Sequence, residues 1–66
     1  MGVLKVIEIL AESTESWEDA VKNGVATASE SVNNIESAYI REQSVNVENG
    51  SIKSYRVNLK VTFKVN

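Results

Sequence analysis

The last part of the chain, residues 52–65, alternates regularly between apolar and polar side chains. The apolar positions are Tyr55, Val57, Leu59, Val61, Phe63 and Val65. Successive side chains of a β-strand point to opposite faces, so this pattern predicts a long strand with one apolar face and one polar face. The polar face carries Arg56, Asn58, Lys60 and Thr62. The rest of the chain has to cover the apolar face.

A second apolar segment, residues 3–11, lies near the amino end and is also predicted to be a strand. Its apolar residues occupy odd and even positions alike: Val3, Leu4, Val6, Ile7, Ile9 and Leu10. Both faces of this strand should therefore be largely buried, although a single helix can cover only one face of a sheet. We expect a partner subunit to cover the other face. The alternative is an apolar edge strand exposed to water, which invites aggregation.

Residues 14–32 are predicted to form a helix, because apolar residues recur there at offsets of three, four and seven. The apolar stripe consists of Trp17, Ala20, Val21, Gly24, Ala28 and Val32. We expect Ser13 to be the N-cap, since its hydroxyl can accept from the free backbone N–H groups of the first turn. Most of the stripe is small, so the helix can lie close to the strands, with Gly24 as a contact point. Trp17 is interpreted as a core anchor rather than a platform for a ligand.

Residues 35–47 are predicted to form the next strand. The helix before it should end at residues 33–34, because asparagine tolerates the left-handed conformation that commonly terminates helices. The apolar alternation in this strand is imperfect, which predicts a register shift or a β-bulge near residues 43–44. The pair Asn49-Gly50 then suits the positive φ angles of a tight turn. The second and third strands should therefore form a hairpin.

The predicted element order is β-α-β-β, which is an α+β fold. A helical crossover makes the second strand parallel to the first, so the third strand fits between them and is antiparallel to both. The sheet order is therefore 1-3-2, and the third strand is central. We expect one domain spanning residues 1–66, with the helix on one sheet face and the other face left open.

The composition favours subunit association. The chain has 66 residues, no Cys, His or Pro, and a formal net charge of −2. So short a chain buries only about 60% of its unfolded surface, and neither disulfides nor a zinc site are available to stabilise it. The slight negative charge argues against a nucleic-acid partner. Lys5 and Glu8 interrupt the first apolar segment, which predicts neither a signal peptide nor a membrane span. We expect a cytoplasmic protein.

Catalytic groups are scarce. Without His or Cys the usual nucleophile and base pairs are excluded, so we expect no catalytic residues and no enzyme activity. Acidic residues in the first helical turn are better explained by the positive end of the helix dipole than by acid–base catalysis. Oxygen ligands for a hard cation occur in residues 42–49, but the spacing of a calcium loop is absent. The sequence assigns no metal ligands.

Several segments, taken in this order, resemble the dodecin family over nearly the whole chain. They are Lys5-Val6-Ile7-Glu8-Ile9, the Ser13-x-x-Ser16-Trp17-Glu18 helix start, Ser31-Val32-Asn33-Asn34-Ile35, and Tyr55-Arg56-Val57-x-Leu59-x-Val61-x-Phe63. The resemblance implies a three-stranded antiparallel sheet that partly wraps one helix, and twelve subunits that form a hollow shell. It also implies flavins bound in pairs at subunit contacts, and flavin storage rather than catalysis. Some bacterial members also hold coenzyme A.

Two positions depart from the flavin-binding members of this family. Ser37 stands where those members have the Trp that stacks on the isoalloxazine ring, and Arg56 replaces the Gln that follows Tyr55. Arginine only donates hydrogen bonds and cannot reproduce the pairing of an amide. Loss of a stacking surface, worth about 1–3 kcal/mol per base, predicts an altered or silent site for FMN or riboflavin. The alternative is a working site in which Tyr39 and Arg56 replace the usual pair, with Gln43 as a further candidate nearby.

Trp17 in the helix, together with Arg after the strand Tyr, is similar to the subgroup described as calcium dodecins. Calcium is therefore a second ligand that the resemblance implies. The preferred function is a non-catalytic, homo-oligomeric shell that carries or sequesters a small molecule at subunit contacts. The alternatives are a flavin-binding dodecin and a calcium-binding structural assembly.

Overall fold

A computed structural model of the chain describes residues 2–65, which form three strands and one helix. The elements are β1 (Leu4–Ser13), α1 (Trp17–Ser31), β2 (Ile35–Glu48) and β3 (Ser51–Lys64). The strands form one antiparallel sheet in the order β1-β3-β2, with α1 packed on one face. The predicted α+β class, element order and central third strand are confirmed. Met1 and Asn66, the ends of the predicted domain, lie outside the described residues.

The core lies between β3 and α1. Val57, Leu59 and Val61 on β3 are all 0% exposed. In the β1–β3 register these three residues stand opposite Ala11, Ile9 and Ile7 in that order. The alternating pattern of β3 therefore has the predicted orientation, with its odd-numbered residues facing the helix. The other buried apolar side chains within residues 2–65 are those of Ala11, Ala20 and Ala28, so the core is small.

The helix lies close to the sheet because its buried stripe consists of Ala20, Gly24 and Ala28. A Cβ atom added to Gly24 would stand 2.9 Å from Leu59 Cδ1 and 3.0 Å from Ala11 Cβ. Atoms that are not bonded to each other do not approach so closely, so a larger residue at this position would displace the Leu59 side chain or the helix. The predicted contact role of Gly24 is confirmed.

The N-cap of α1 is Ser16, and the prediction of Ser13 is wrong. Ser16 has extended backbone angles, and its hydroxyl accepts a hydrogen bond of 3.0 Å from the Asp19 backbone N–H. Ser13 remains in β1, where its hydroxyl accepts from the Glu15 N–H at 2.9 Å and donates to Asp19 Oδ2 at 2.7 Å. Since Ser13 stabilises the turn between strand and helix, α1 begins three residues later than predicted.

Both predicted asparagine conformations are present. Asn34 follows the helix end at Ser31 and has a φ of 64°, and the hairpin turn has φ angles of 52° at Asn49 and 76° at Gly50. Two successive positive φ angles are typical of the tight turns that match the twist of a hairpin.

The β2–β3 pairing is irregular, as predicted. Register shifts occur at residues 35–37, 40–42 and 46–47, whereas Gln43 and Ser44 pair regularly with Val57 and Arg56. The predicted irregularity near residues 43–44 is confirmed by the shifts at residues 40–42 and 46–47, which lie on either side of this pair. The shift at residues 40–42 changes which residues of β2 face the helix: even-numbered Ile40 does so before the shift, and odd-numbered Gln43 does so after it. This change of parity explains the imperfect alternation in the sequence.

The 15-residue α1, the single helix within residues 2–65, lacks the length and apolar character that a membrane crossing requires.

Candidate functional site

The sheet face opposite α1, called the uncovered face below, carries an apolar stripe along β1. Leu4, Val6 and Leu10 point to this side, because their register partners are the even-numbered residues of β3. Their exposed fractions are 54%, 57% and 68%. The odd-numbered neighbours Ile7 and Ile9 face the helix and pack against the core. Both faces of β1 are therefore apolar, as predicted, and one chain covers only one of them.

Two ion pairs flank Leu10 on the uncovered face. Arg41, the extra residue of the register shift in β2, reaches across β3 and donates from Nη1 to Glu8 Oε2 at 2.9 Å. Arg56 Nε donates to Glu12 Oε2, also at 2.9 Å. All four side chains are about half exposed to solvent. The two pairs connect β1 to the other strands and place charges beside the apolar stripe.

Glu12 and Arg56 lie in a polar cleft of about 310 Å³ near the start of the helix. The cleft is lined by Glu12, Ser13, Thr14, Asn46, Lys53, Ser54 and Arg56. The hydrogen bond from Arg56 lowers the pKa of the Glu12 carboxyl, with a smaller effect from the Ser54 hydroxyl, which donates to the same oxygen at 2.7 Å. The ionised form of Glu12 is thus favoured, and Arg56 Nε pairs with this carboxylate within the same chain.

The predicted flavin-site residues do not meet within one chain. Ser37 and Tyr39 are both on the uncovered face, opposite Thr62 and Lys60. Arg56 is on the same face, but Thr62 and Arg56 are six residues apart along β3, which corresponds to about 20 Å. Tyr39 is 64% exposed and is an accessible aromatic surface. A site that uses these three residues would need side chains from more than one copy of the chain.

Gln43 belongs to the opposite side of the sheet. It pairs with Val57, whose side chain is buried under the helix, and it lines an apolar cavity of about 490 Å³ between α1 and β2. The cavity lining is Trp17, Glu18, Val21, Lys22, Ile40 and Gln43. The sequence does not predict this cavity. Its two walls come from α1 and from the edge strand β2, and only the structure shows that these walls face each other.

Trp17 forms one wall of that cavity. Its indole Nε1 donates to the Ser44 backbone carbonyl at 3.0 Å, and its ring meets Tyr55 edge to face, with centroids 5.1 Å apart and planes at 76°. It is partly buried and packs against the core cluster, as predicted. These contacts fix the position of the indole ring.

A third, larger cavity of about 580 Å³ lies on the other side of the helix, between α1 and β1. Its walls include Ile7, Ile9, Gly24 and Ala28, which also contribute to the packing of the helix. It is an open groove along the free edge of β1, bordered by the exposed Leu10.

Within residues 2–65, no group of three or more acidic side chains is placed to hold a metal ion. Glu48, one of the oxygen ligands considered from the sequence, pairs instead with Lys53 at 3.1 Å. Glu8 and Glu12 are also engaged by arginines. The described part of a single copy therefore offers no cluster of carboxylates of the kind that commonly binds calcium.

Comparison with known proteins gives a consistent result. The family model named Dodecin matches residues 3–66. The calcium dodecin of Mycobacterium tuberculosis is 40% identical over 65 residues, which cover 98% of this chain and 92% of that protein.

Solved structures agree with the sequence comparison. The crystal structure of the calcium-chelating immunodominant antigen calcium dodecin from Mycobacterium tuberculosis matches with a TM-score of 0.85 and 42% identity, covering 97% of this chain and 91% of that chain. Dodecin from Streptomyces davaonensis matches with a TM-score of 0.94 and 26% identity, covering 98% and 96% of the two chains.

Proposed function

This chain belongs to the dodecin family, and on that premise we propose that it is a non-catalytic carrier or sequestering protein that acts as a shell of identical subunits. Twelve copies form the hollow assembly, and a small molecule is held where subunits meet. The protein acts in the cytoplasm, and neither a nucleic acid nor a membrane is a partner. The chain folds as one domain.

The apolar stripe Leu4, Val6 and Leu10 is the observation that carries this proposal. Each of these side chains is more than half exposed in a single chain. Burial of apolar surface stabilises the folded, associated state by about 25 cal/mol per Å². The core of a single chain is small, so burial within one chain contributes little to its stability. A second subunit that covers the stripe would supply the missing burial. The flanking ion pairs of Glu8 and Glu12 would then fix the alignment of the two surfaces.

The shell is tested by measuring mass. Light scattering should give about twelve times the 7.3 kDa mass of one chain. Substitution Leu10→Glu places a third carboxylate between Glu8 and Glu12 on the stripe, so it should dissociate the assembly at micromolar concentration. Ser29→Glu adds the same charge at an exposed helix position and should leave the mass unchanged.

Two outcomes would contradict the shell. The first is a wild-type protein with the mass of a single chain that is nonetheless folded in dilute buffer. The second is a Leu10→Glu variant that keeps the full mass, because the stripe would then not lie in an interface.

The flavin site of the family is proposed to be altered and silent in this chain. Ser37 offers no stacking surface, and Arg56 is bound to Glu12, so its Nε is not free to meet a ring edge. Among the residues predicted for the flavin site, Tyr39 is the aromatic one, and it lies on the uncovered face with Ser37 and Arg56. A working FMN or riboflavin site would therefore depend on Tyr39, with Arg56 from another copy. No specific contact supports coenzyme A, which stays a prediction from the family resemblance.

Calcium is the second candidate ligand, favoured by the 40% identity to a protein named calcium dodecin. Since one chain lacks a sufficient group of acidic side chains among residues 2–65, we propose that carboxylates from several copies would hold the ion together. Exposed acidic residues outside ion pairs, such as Glu36 and Glu42, are the available donors.

Ligand titrations separate these two possibilities. Millimolar calcium should raise the melting temperature of the assembled protein, whereas magnesium at the same concentration should raise it less, because Mg²⁺ gives up its bound water reluctantly. Riboflavin fluorescence should remain nearly unquenched at micromolar protein. An unchanged melting temperature in calcium would refute the ion site, and stoichiometric quenching of riboflavin would refute the silent flavin site.

A further inference from the structure

The chain contains the dipeptide Asn-Gly twice, and the structure places the two copies in opposite surroundings. Asn23-Gly24 lies inside α1, whereas Asn49-Gly50 forms the hairpin turn between β2 and β3. An asparagine that precedes glycine is prone to lose its side-chain amide without an enzyme. The reason is that glycine has no Cβ, so its backbone nitrogen can reach the preceding side chain unhindered. Structure, rather than sequence, therefore decides which of the two copies reacts.

The reaction joins the backbone nitrogen of the glycine to the side chain of the asparagine. In the turn, a bond forms between Gly50 N and Asn49 Cγ, and the amide nitrogen of Asn49 leaves as ammonia, taking the proton from Gly50 N. The product is a cyclic imide. Water then adds to either imide carbonyl and opens the ring. One product is aspartate, and the other is isoaspartate, in which the main chain runs through Cβ.

The helix protects the first copy of the dipeptide. The Gly24 N–H donates to the carbonyl of the preceding turn, as at every interior position of an α-helix. Gly24 is also buried, and a Cβ atom there would stand 2.9 Å from Leu59 Cδ1, so its backbone has little room to turn. Asn23 Nδ2 donates to Asp19 Oδ2 at 3.4 Å. Ring closure at Asn23 would require the middle of the helix to open.

The hairpin turn gives the second copy none of these protections. Asn49 and Gly50 are both exposed, and a Cβ atom at Gly50 would meet nothing within 4 Å. The Gly50 N–H makes no hydrogen bond to the other residues in the described range 2–65. Ring closure fixes the ψ angle of the asparagine, because its Cα–C bond becomes part of the ring. In the turn this needs only the rotation of one exposed peptide group.

The end of the hairpin can open without disturbing the core. Val47 and Ile52, the apolar pair next to the turn, are 58% and 54% exposed. The nearest β3 side chain with 0% exposure is that of Val57, which lies about 20 Å from Ser51 along the strand. Segments with few buried contacts open at a small cost in free energy. The turn should therefore reach the reactive geometry far more often than the helix does.

We propose that Asn49 is a site of spontaneous deamidation and isoaspartate formation, and that Asn23 is protected although it also precedes glycine. The modified turn carries a new carboxylate beside Glu48, which competes for Lys53, the partner of Glu48 at 3.1 Å. Isoaspartate also adds one carbon to the main chain of a two-residue turn. The pairing of Glu48 with Ser51 is then distorted, and the end of the hairpin loosens.

Peptide mapping of the intact protein after incubation in mildly alkaline buffer tests the proposal. Trypsin separates the two sites, because peptide 42–53 contains Asn49 and peptide 23–41 contains Asn23. Fragment spectra assign the converted residue. Conversion to the acid should be more than about tenfold faster at Asn49 than at Asn23, since local opening free energies differ widely between loops and packed helices. A methyltransferase specific for isoaspartyl carboxylates, supplied with a labelled methyl donor, should label peptide 42–53 and leave peptide 23–41 unlabelled.

The unfolded chain is the matched control. In guanidinium chloride both dipeptides lose their surroundings, so Asn23 and Asn49 should convert at similar rates. Asn49→Gly leaves a Gly-Gly pair that also suits the turn, and should abolish labelling of peptide 42–53. Equal rates at the two asparagines in the folded protein would overturn the proposal. So would a rate ratio that unfolding leaves unchanged, or a folded protein in which Asn49 remains an amide while the unfolded chain is converted.

Discussion

Replacing Leu59 by alanine is expected to lower the free energy of unfolding by about 2–5 kcal/mol. Leu59 is fully buried in the middle of β3, between Ile9 on β1 and Ile40 on β2, and directly below the Gly24 position of the helix. With few other large side chains in the core, the neighbouring groups have little means of filling the space left by the missing atoms. Urea denaturation followed by Trp17 fluorescence measures the loss at a fixed protein concentration.

The matched control for this change is Ile52→Ala. Ile52 lies on the same strand and has the same number of side-chain carbons, but it is 54% exposed near the hairpin turn. Its truncation should cost well under half of the Leu59 effect. If both variants unfold at the same urea concentration, β3 does not have the orientation described here.

Replacing Gly24 by valine is the second change with a large expected effect. The new Cβ would meet Leu59 Cδ1 at 2.9 Å and Ala11 Cβ at 3.0 Å, so the buried Leu59 side chain or the helix has to shift. Overpacking of this kind costs about 1–3 kcal/mol. The better helix propensity of valine returns only a few tenths of a kcal/mol. We therefore expect net destabilisation, seen as a lower urea midpoint.

The control for the Gly24 variant is Ala26→Val, an exposed position on the same helix. It introduces the same β-branched side chain and should cost less than about 0.7 kcal/mol, the upper limit of ordinary propensity differences. A Gly24→Val protein as stable as the Ala26→Val protein would show that the helix does not approach the sheet so closely.

Much of this fold follows from the sequence, because its signals are local and agree with one another. The alternation of β3 specifies which residues face the helix, and the Asn49-Gly50 pair specifies the hairpin turn. The small residues of the helix, with Gly24 among them, predicted the close packing. Strand order then follows from the crossover connection.

The errors have local physical causes. Ser13 and Ser16 are equally good N-cap residues by composition, and only the structure shows that Ser13 uses its hydroxyl within the preceding turn. Asp19, three residues after Ser16, is the signal that favours the correct choice, since an acidic residue at that position commonly accompanies the cap. The irregularity near residues 43–44 is predictable, but its exact position is not, because an extra residue, Arg41, changes the parity of the pattern before the break becomes visible in the sequence.

The candidate site was less predictable than the fold. Ser37 and Arg56 were recognised as departures from a family pattern, but their separation of about 20 Å depends on strand register, which the irregular β2 does not reveal. The sequence predicts Trp17 as a core anchor and Gln43 as a candidate near the flavin site, so it does not place them together. Their common cavity arises because the helix covers two strands of three, and this is a property of packing rather than of sequence pattern.

The two edge strands of the sheet, β1 and β2, differ in how readily a strand from another molecule could pair with them. β2 has three breaks in its pairing, and such breaks discourage another strand from adding alongside. β1 has none over its ten residues, and it carries exposed aliphatic side chains. A subunit released from its neighbours would offer β1 as a template for cross-β growth. Closing the shell would therefore protect the protein from fibril formation. A variant that cannot assemble should also lose its resistance to fibril formation.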